Sequence, residues 1–123
     1  MRALVIEDSR AMRSILGGIL GDVGFDSVMA ADAEEALAGL EEDHAYDFAL
    51  VDWNLPGMSG LELVQNIRNR PEMHDIRLMM VTTETELARV QEALDAGADE
   101  YIMKPFDKEM LLEKLILLGV EVG

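Results

Sequence analysis

The sequence predicts an α/β protein, a doubly wound (βα)5 three-layer sandwich around a parallel five-stranded sheet. Three observations carry this. Apolar blocks of strand length begin near Ala3 (ALVI), Ser27 (SVMA), Phe48 (FALV), Leu78 (LMMV) and Tyr101 (YIM). Their starts lie roughly 20–30 residues apart, the length of one βα unit. The blocks are continuously apolar rather than alternating, as strands covered on both faces are, and helical periodicity fills the gaps between them.

The first gap has Met12, Ile15, Leu16, Ile19, Leu20 and Val23 on one helical face. The second repeats the pattern with Ala33, Ala36, Leu37 and Leu40, and the third, more sparsely, with Leu61, Val64 and Ile67. Capping boxes are legible at Ser59 with Glu62 and Thr83 with Glu86, and an acidic variant at Asp32 with Glu35. Gly24, Gly97 and Gly119 stand where helical patterns stop. Gly17 and Gly18 fall inside a helix, where each costs about 1 kcal/mol relative to alanine. Close packing against a neighbour is the one reason the sequence offers for that pair. Several of the 9 methionines, including Met12, Met79, Met80 and Met103, read as core filler. His44 and His74 fall in connections and read as surface residues.

Composition narrows the function. A chain of 123 residues suits one domain, expected to span 1–123 with no output domain. With no cysteines there is no disulfide framework, zinc-thiolate site or thiol nucleophile. A net charge of −15 argues against direct binding of nucleic acid and against an anionic membrane surface. No apolar run reaches the ~20 residues needed to span a bilayer, and no signal peptide is visible, so a cytoplasmic protein is expected.

In open α/β sheets, ligands bind outside the carboxyl ends of the strands. The first block is followed by Glu7, Asp8 and Ser9, and the third by Asp52, Trp53 and Asn54. The fourth leads into Thr82, Thr83 and Glu84, and the fifth into Lys104 and Pro105. Taken singly, each has a plainer role as a cap or turn residue. Together they bring three carboxylates, a hydroxyl and an ammonium to one edge. Two like charges ~4 Å apart repel by about 4 kcal/mol at an effective dielectric near 20, so a proton or a cation must join three carboxylates. An all-oxygen site suits Mg²⁺, with Mn²⁺ the alternative, and disfavours zinc or copper. Asp52 beside a metal, Thr82 and Lys104 is then a candidate nucleophile toward a phosphoryl group.

With these residues in place, the chain resembles the response-regulator receiver domains of two-component signalling, and among them the single-domain chemotaxis receivers of the CheY type. The resemblance implies the flavodoxin-like strand order 2-1-3-4-5. It implies that Asp52 accepts a phosphoryl group from a phosphohistidine on a sensor histidine kinase, CheA-like or other, and later loses it by hydrolysis. Glu7, Asp8, Asp52 and the backbone carbonyl of Asn54 would hold Mg²⁺. Thr82 and Lys104 would contact the phosphoryl group, and the Lys104–Pro105 bond matches one often cis in the family. Thr82 and Tyr101 would form the switch, opening a face of the fourth helix, fifth strand and fifth helix near Arg89, Tyr101, Phe106 and Lys108. Asn54 and Glu84 occupy the positions that tune hydrolysis and imply a short-lived phosphorylated state.

Two residues depart from the family pattern. Glu7 replaces the commoner aspartate, and Thr83 is bulkier than the usual residue and is expected to crowd Tyr101. The implied target is a protein such as a flagellar motor switch component or a phosphotransferase, bound by a monomer. A phosphate sink or relay shuttle is the nearest alternative, and a phosphorylation-independent interaction module a more distant one. Flavin binding is disfavoured because acids stand where a phosphate loop is needed. An aspartyl phosphatase is disfavoured because Asn54 cannot act as a general acid. Trp53 reads either as a neighbour of Asp52 or as a surface aromatic packed on a loop.

Overall fold

The structure is a computed structural model and describes residues 1–121. Strands β1 (Arg2–Ile6), β2 (Asp26–Ala30), β3 (Phe48–Asp52), β4 (Arg77–Thr82) and β5 (Glu100–Met103) pair in parallel in the order β2-β1-β3-β4-β5. They alternate with α1 (Arg10–Asp22), α2 (Ala33–Glu42), α3 (Gly60–Arg68), α4 (Val90–Ala96) and α5 (Lys108–Leu117). Short 3-10 segments, Pro71–Met73 and Glu84–Arg89, precede β4 and α4. No helix among the described residues is long and apolar enough to cross a membrane.

The period-2 geometry of a strand sends successive side chains to opposite faces, so one sheet divides two cores. Leu4, Ile6, Ala49, Val51, Leu78 and Met80 pack on one side, against Ala36 of α2, Val64 of α3 and Ala93 of α4. Ala3, Val5, Leu50, Met79, Val81 and Ile102 pack on the other, against Leu16 and Leu20 of α1 and Leu111 and Leu115 of α5. Both faces are covered, which is why the strands read as unbroken apolar runs.

Register decides what meets at the carboxyl edge. Ile6 pairs with Val51, Asp52 with Val81, and Thr82 with Met103. Next in line, Glu7 therefore emerges level with Asp52, and Lys104 one residue beyond the level of Thr82. Ser59 and Asp32 cap α3 and α2 as expected, accepting from the amides of Glu62 and Glu35 at 3.2 and 2.7 Å.

Four expectations need correction. Ile15 is 56% exposed, because the sheet takes only the narrower Leu16–Leu20 stripe of α1. Met103 is exposed rather than core, standing at the end of the edge strand β5. Trp53 is buried at 4% exposure in the core on the α2, α3 and α4 side, which removes the surface alternative. Thr83 and Glu86 do not form a capping box: the segment they open is 3-10, and the Thr83 hydroxyl meets the Glu86 carboxylate instead of a backbone amide.

The two glycines inside α1 differ. A Cβ on Gly17 would lie 3.0 Å from the Met29 methyl on β2, whereas one on Gly18 would meet nothing within 4 Å. Close packing explains Gly17, and nothing in the structure explains Gly18. A third glycine is more tightly bound to the future site. The amide of Gly60 donates to the Trp53 carbonyl at 3.1 Å, and a Cβ there would sit 2.3 Å from the Asp52 carbonyl oxygen. The start of α3 can approach the end of β3 only without a side chain.

Gly60 and Gly18 give opposite predictions for urea unfolding. Gly60→Ala should lose several kcal/mol, because the clash is with main chain rather than with a side chain that can swing. Gly18→Ala should gain about 0.5–1 kcal/mol from reduced unfolded-state freedom and better helix propensity. Equal midpoints for the two variants would contradict this account.

Candidate functional site

Asp52 is the last residue of β3 and Glu7 the first beyond β1, and both are almost fully buried, at 5% and 2% exposure. Asp8 follows on the exposed side. Carboxylate oxygens of Glu7, Asp8 and Asp52 all lie within 4.8 Å of one another. From the far strand, Lys104 places Nζ 3.0 Å from Glu7 Oε1 and 3.6 Å from Asp52 Oδ2. The Lys104–Pro105 peptide bond is cis, as the resemblance implied. The Lys104 amide donates to the Thr82 carbonyl at 2.7 Å, tying the ends of β4 and β5 together. Thr82 is buried, and its hydroxyl donates to the Thr83 carbonyl at 2.8 Å.

The electrostatics follow from this crowding. Burial first, and then the adjacent Glu7 carboxylate, push Asp52 up to about 7, against the opposing pull of Lys104 and of the Asn54 amide. Burial alone would lower Lys104, but its hydrogen bond to Glu7 and the charges of Asp52 and Glu7 outweigh it and hold the ammonium above its usual range. One lysine is shared between two carboxylates, which leaves the cluster short of positive charge.

A divalent cation fits that deficit. Glu7 Oε2 is buried and has no hydrogen-bond partner among the described residues, and an unpaired carboxylate oxygen in such a place is costly. The donor set is oxygen only, two of its three carboxylates are buried and one is open to water, which is the chemistry of Mg²⁺ or Mn²⁺.

The structure thus brings Glu7, Asp8, Asp52 and Lys104 together, with Thr82 at the adjoining strand end. Asn54 donates its amide to Asp52 Oδ1 at 3.3 Å, and its side-chain amide donates to the Glu86 carboxylate. Tyr101 lies partly buried on β5, with Lys114 Nζ 4.4 Å from its ring centre. The side chain of Glu84 lies outside the described residues. His44 and His74 are exposed in connections far along the chain from the strand ends.

Sequence reasoning missed three contacts, two of them made by residues that it assigns other roles. Arg13 reaches back from α1 to the carbonyls of Glu7 and Asp8 at 2.7 and 3.0 Å, fixing the turn that carries the acids. Its position four residues after the cap Ser9 was the available signal. Arg89 covers the Trp53 ring at 5.1 Å, a contact between segments that no spacing reveals. Glu86 is 8% exposed and accepts from both Asn54 and Thr83; its capping-box spacing was visible but pointed to a different bond.

The raised Asp52 group makes metal-free stability depend on pH. Its folded value of about 7 lies above the unfolded value near 3.8, so between these the folded state binds more protons and stability falls as pH rises. With Mg²⁺ chelated, the thermal midpoint should drop between about pH 5 and pH 8. In Asp52→Asn that drop should shrink, as the pH-dependent loss of unfolding free energy falls by an amount on the order of 1–3 kcal/mol. Identical pH profiles for the two proteins would contradict the assignment.

Comparisons with known proteins agree with this geometry. Residues 3–116 match the model of the response regulator receiver domain. Chemotaxis protein CheY-3 of Vibrio cholerae is 36% identical over 115 residues, 94% of this chain and 88% of that protein. The CheY homolog of Campylobacter jejuni is 41% identical over 116 residues, covering 94% and 89% respectively. Among solved structures, chemotaxis protein CheY4 of Vibrio cholerae superposes with a TM-score of 0.88 at 33% identity, covering 95% of this chain and 97% of that one. On fold, site geometry and sequence together, the chain belongs to the response regulator receiver domain family.

Proposed function

We propose that this receiver accepts a phosphoryl group on Asp52 in a Mg²⁺-dependent reaction and signals by docking to another protein. The observation that carries the reading is the buried Asp52 carboxylate, with two further acids within metal-bridging distance and the Lys104 ammonium 3.6 Å away. An Asp52 oxygen attacks the phosphorus of a phosphohistidine; the O–P bond forms, the N–P bond breaks, and the imidazole leaves with the electron pair. Glu7, Asp8, Asp52 and the Asn54 carbonyl would hold the ion, which when bound supplies charge neutralisation for the transferring group. Lys104 supplies a second positive charge, and Thr82 a hydroxyl donor once released from the Thr83 carbonyl. Hydrolysis of the acyl phosphate returns the resting state, and the chemotaxis-type residues at Asn54 and Glu84 favour a short lifetime.

The donor fits a sensor histidine kinase, CheA-like by the similarity to chemotaxis receivers. For output, a groove of ≈ 420 Å³ runs between β5 and α5, lined by Leu87, Tyr101, Met103, Met110, Lys114 and Leu117. Leu87, Met103, Met110 and Leu117 are 39%, 38%, 42% and 69% exposed. An apolar floor that contains the switch tyrosine suits a protein target such as a flagellar motor switch component or a phosphotransferase. The protein is expected to act in the cytoplasm as a monomer, without direct nucleic-acid or membrane contact.

Trp53, the single tryptophan, adjoins Asp52 and reports on it. Adding Mg²⁺ should change its fluorescence saturably, and beryllofluoride, a phosphoryl mimic, should change it again. Both responses should weaken or vanish in Asp52→Asn, with circular dichroism unchanged. A folded wild-type protein that responds to neither addition would overturn the proposal.

A further inference from the structure

We propose that Glu86 is a positioning residue that latches the resting state, by tying the segment after Thr82 to the loop after Asp52. The inference rests on the reading of Asp52 as phosphoacceptor. The Glu86 carboxylate is 8% exposed and uses both oxygens: Oε1 accepts from the Asn54 side-chain amide, and Oε2 from the Thr83 hydroxyl. Among the described residues it pairs with no cation, so two neutral donors alone satisfy a buried charge. One of those donors lies two residues from the acceptor and the other is the immediate neighbour of Thr82.

The main chain completes the tie. The Glu86 amide donates to the Thr83 carbonyl at 3.2 Å, and the same carbonyl accepts the Thr82 hydroxyl at 2.8 Å. A hydroxyl has a single proton to give, so Thr82 cannot serve the Thr83 carbonyl and a phosphoryl oxygen at once. To reach a group on Asp52 it must leave Thr83, and the resulting shift of Thr82–Thr83 pulls against both bonds of Glu86. Arg89 over Trp53 fastens the far end of the same 3-10 segment. Glu86 thus stabilises one of two states and lowers apparent affinity for whatever selects the other.

Titration with beryllofluoride at saturating Mg²⁺, read by Trp53 fluorescence, tests this in the wild type, Glu86→Ala, Thr83→Val and the double variant. Glu86→Ala should lower the beryllofluoride Kd by roughly tenfold, on the order of one charge-assisted hydrogen bond. Thr83→Val should act in the same direction, and the double variant should gain less than the two effects combined, because both remove one bond. The Mg²⁺ Kd, measured calorimetrically without beryllofluoride, should stay within about twofold, which a general loosening of the site would not allow. If Glu86→Ala fails to fold, Glu86→Gln, which keeps one acceptor oxygen and loses the charge, should show a smaller gain of the same sign. Wild-type beryllofluoride affinity in the folded Glu86 variant overturns the latch while leaving Asp52 as acceptor. Additive effects overturn it too, by showing that the two variants do not act through a shared bond. Absence of any beryllofluoride binding in the wild type overturns the acceptor reading, and the latch with it.

Discussion

Everything at the carboxyl edge of this sheet depends on the repulsion between two buried carboxylates, Glu7 and Asp52, that share one lysine. Parallel pairing in register forces them together, and apolar strands on either side keep water from screening them. Two remedies exist for such a pair: a proton or a cation. The fold leans toward the first when metal-free, because burial and the adjacent Glu7 raise the Asp52 carboxyl above its usual range. Its orphaned Glu7 oxygen is suited to the second. A site that stays uncomfortable in isolation has a reason to bind, and the same discomfort sets its sensitivity to pH.

Much of this was legible from residues alone, because the determinants are local. Unbroken apolar runs located all five strands, and the polar residue after each run located the site. Asp32 and Ser59 showed their caps because a cap depends on a bond between residues three apart. What escaped depends on distances through space. Ile15 repeats at helical spacing, yet exposure is decided by how broad a stripe the sheet can cover. Thr83 and Glu86 have the spacing of a capping box, but the Asn54 amide competes for the same carboxylate from another loop and draws it elsewhere. The role of Gly60 was invisible because nothing in its neighbourhood says that the Asp52 carbonyl lies within reach.

The contributions of the two long basic side chains at the edge differ in kind. Lys104 is a point charge fixed among acids, and its worth is electrostatic. Arg89 is exposed and spreads a flat guanidinium over Trp53, so its worth is mostly packing and cover. Strand β3 is therefore held at its end by charge on one side and by contact area on the other. Glu86, between them, adds directional hydrogen bonds.

The division of the interior by the sheet carries a consequence for how motion is partitioned. Core residues of α4 belong only to one cluster and those of α5 only to the other, with Val81 and Met80 of β4 facing opposite ways. A displacement starting at Thr82 and running down the chain enters the compartment containing Ala93 and Ala98 first. The compartment built on Leu16, Leu20, Leu111 and Leu115 lies across the sheet from it. The receiver is in this sense two half-proteins sharing a wall, and only one of them contains the helix that follows Thr82.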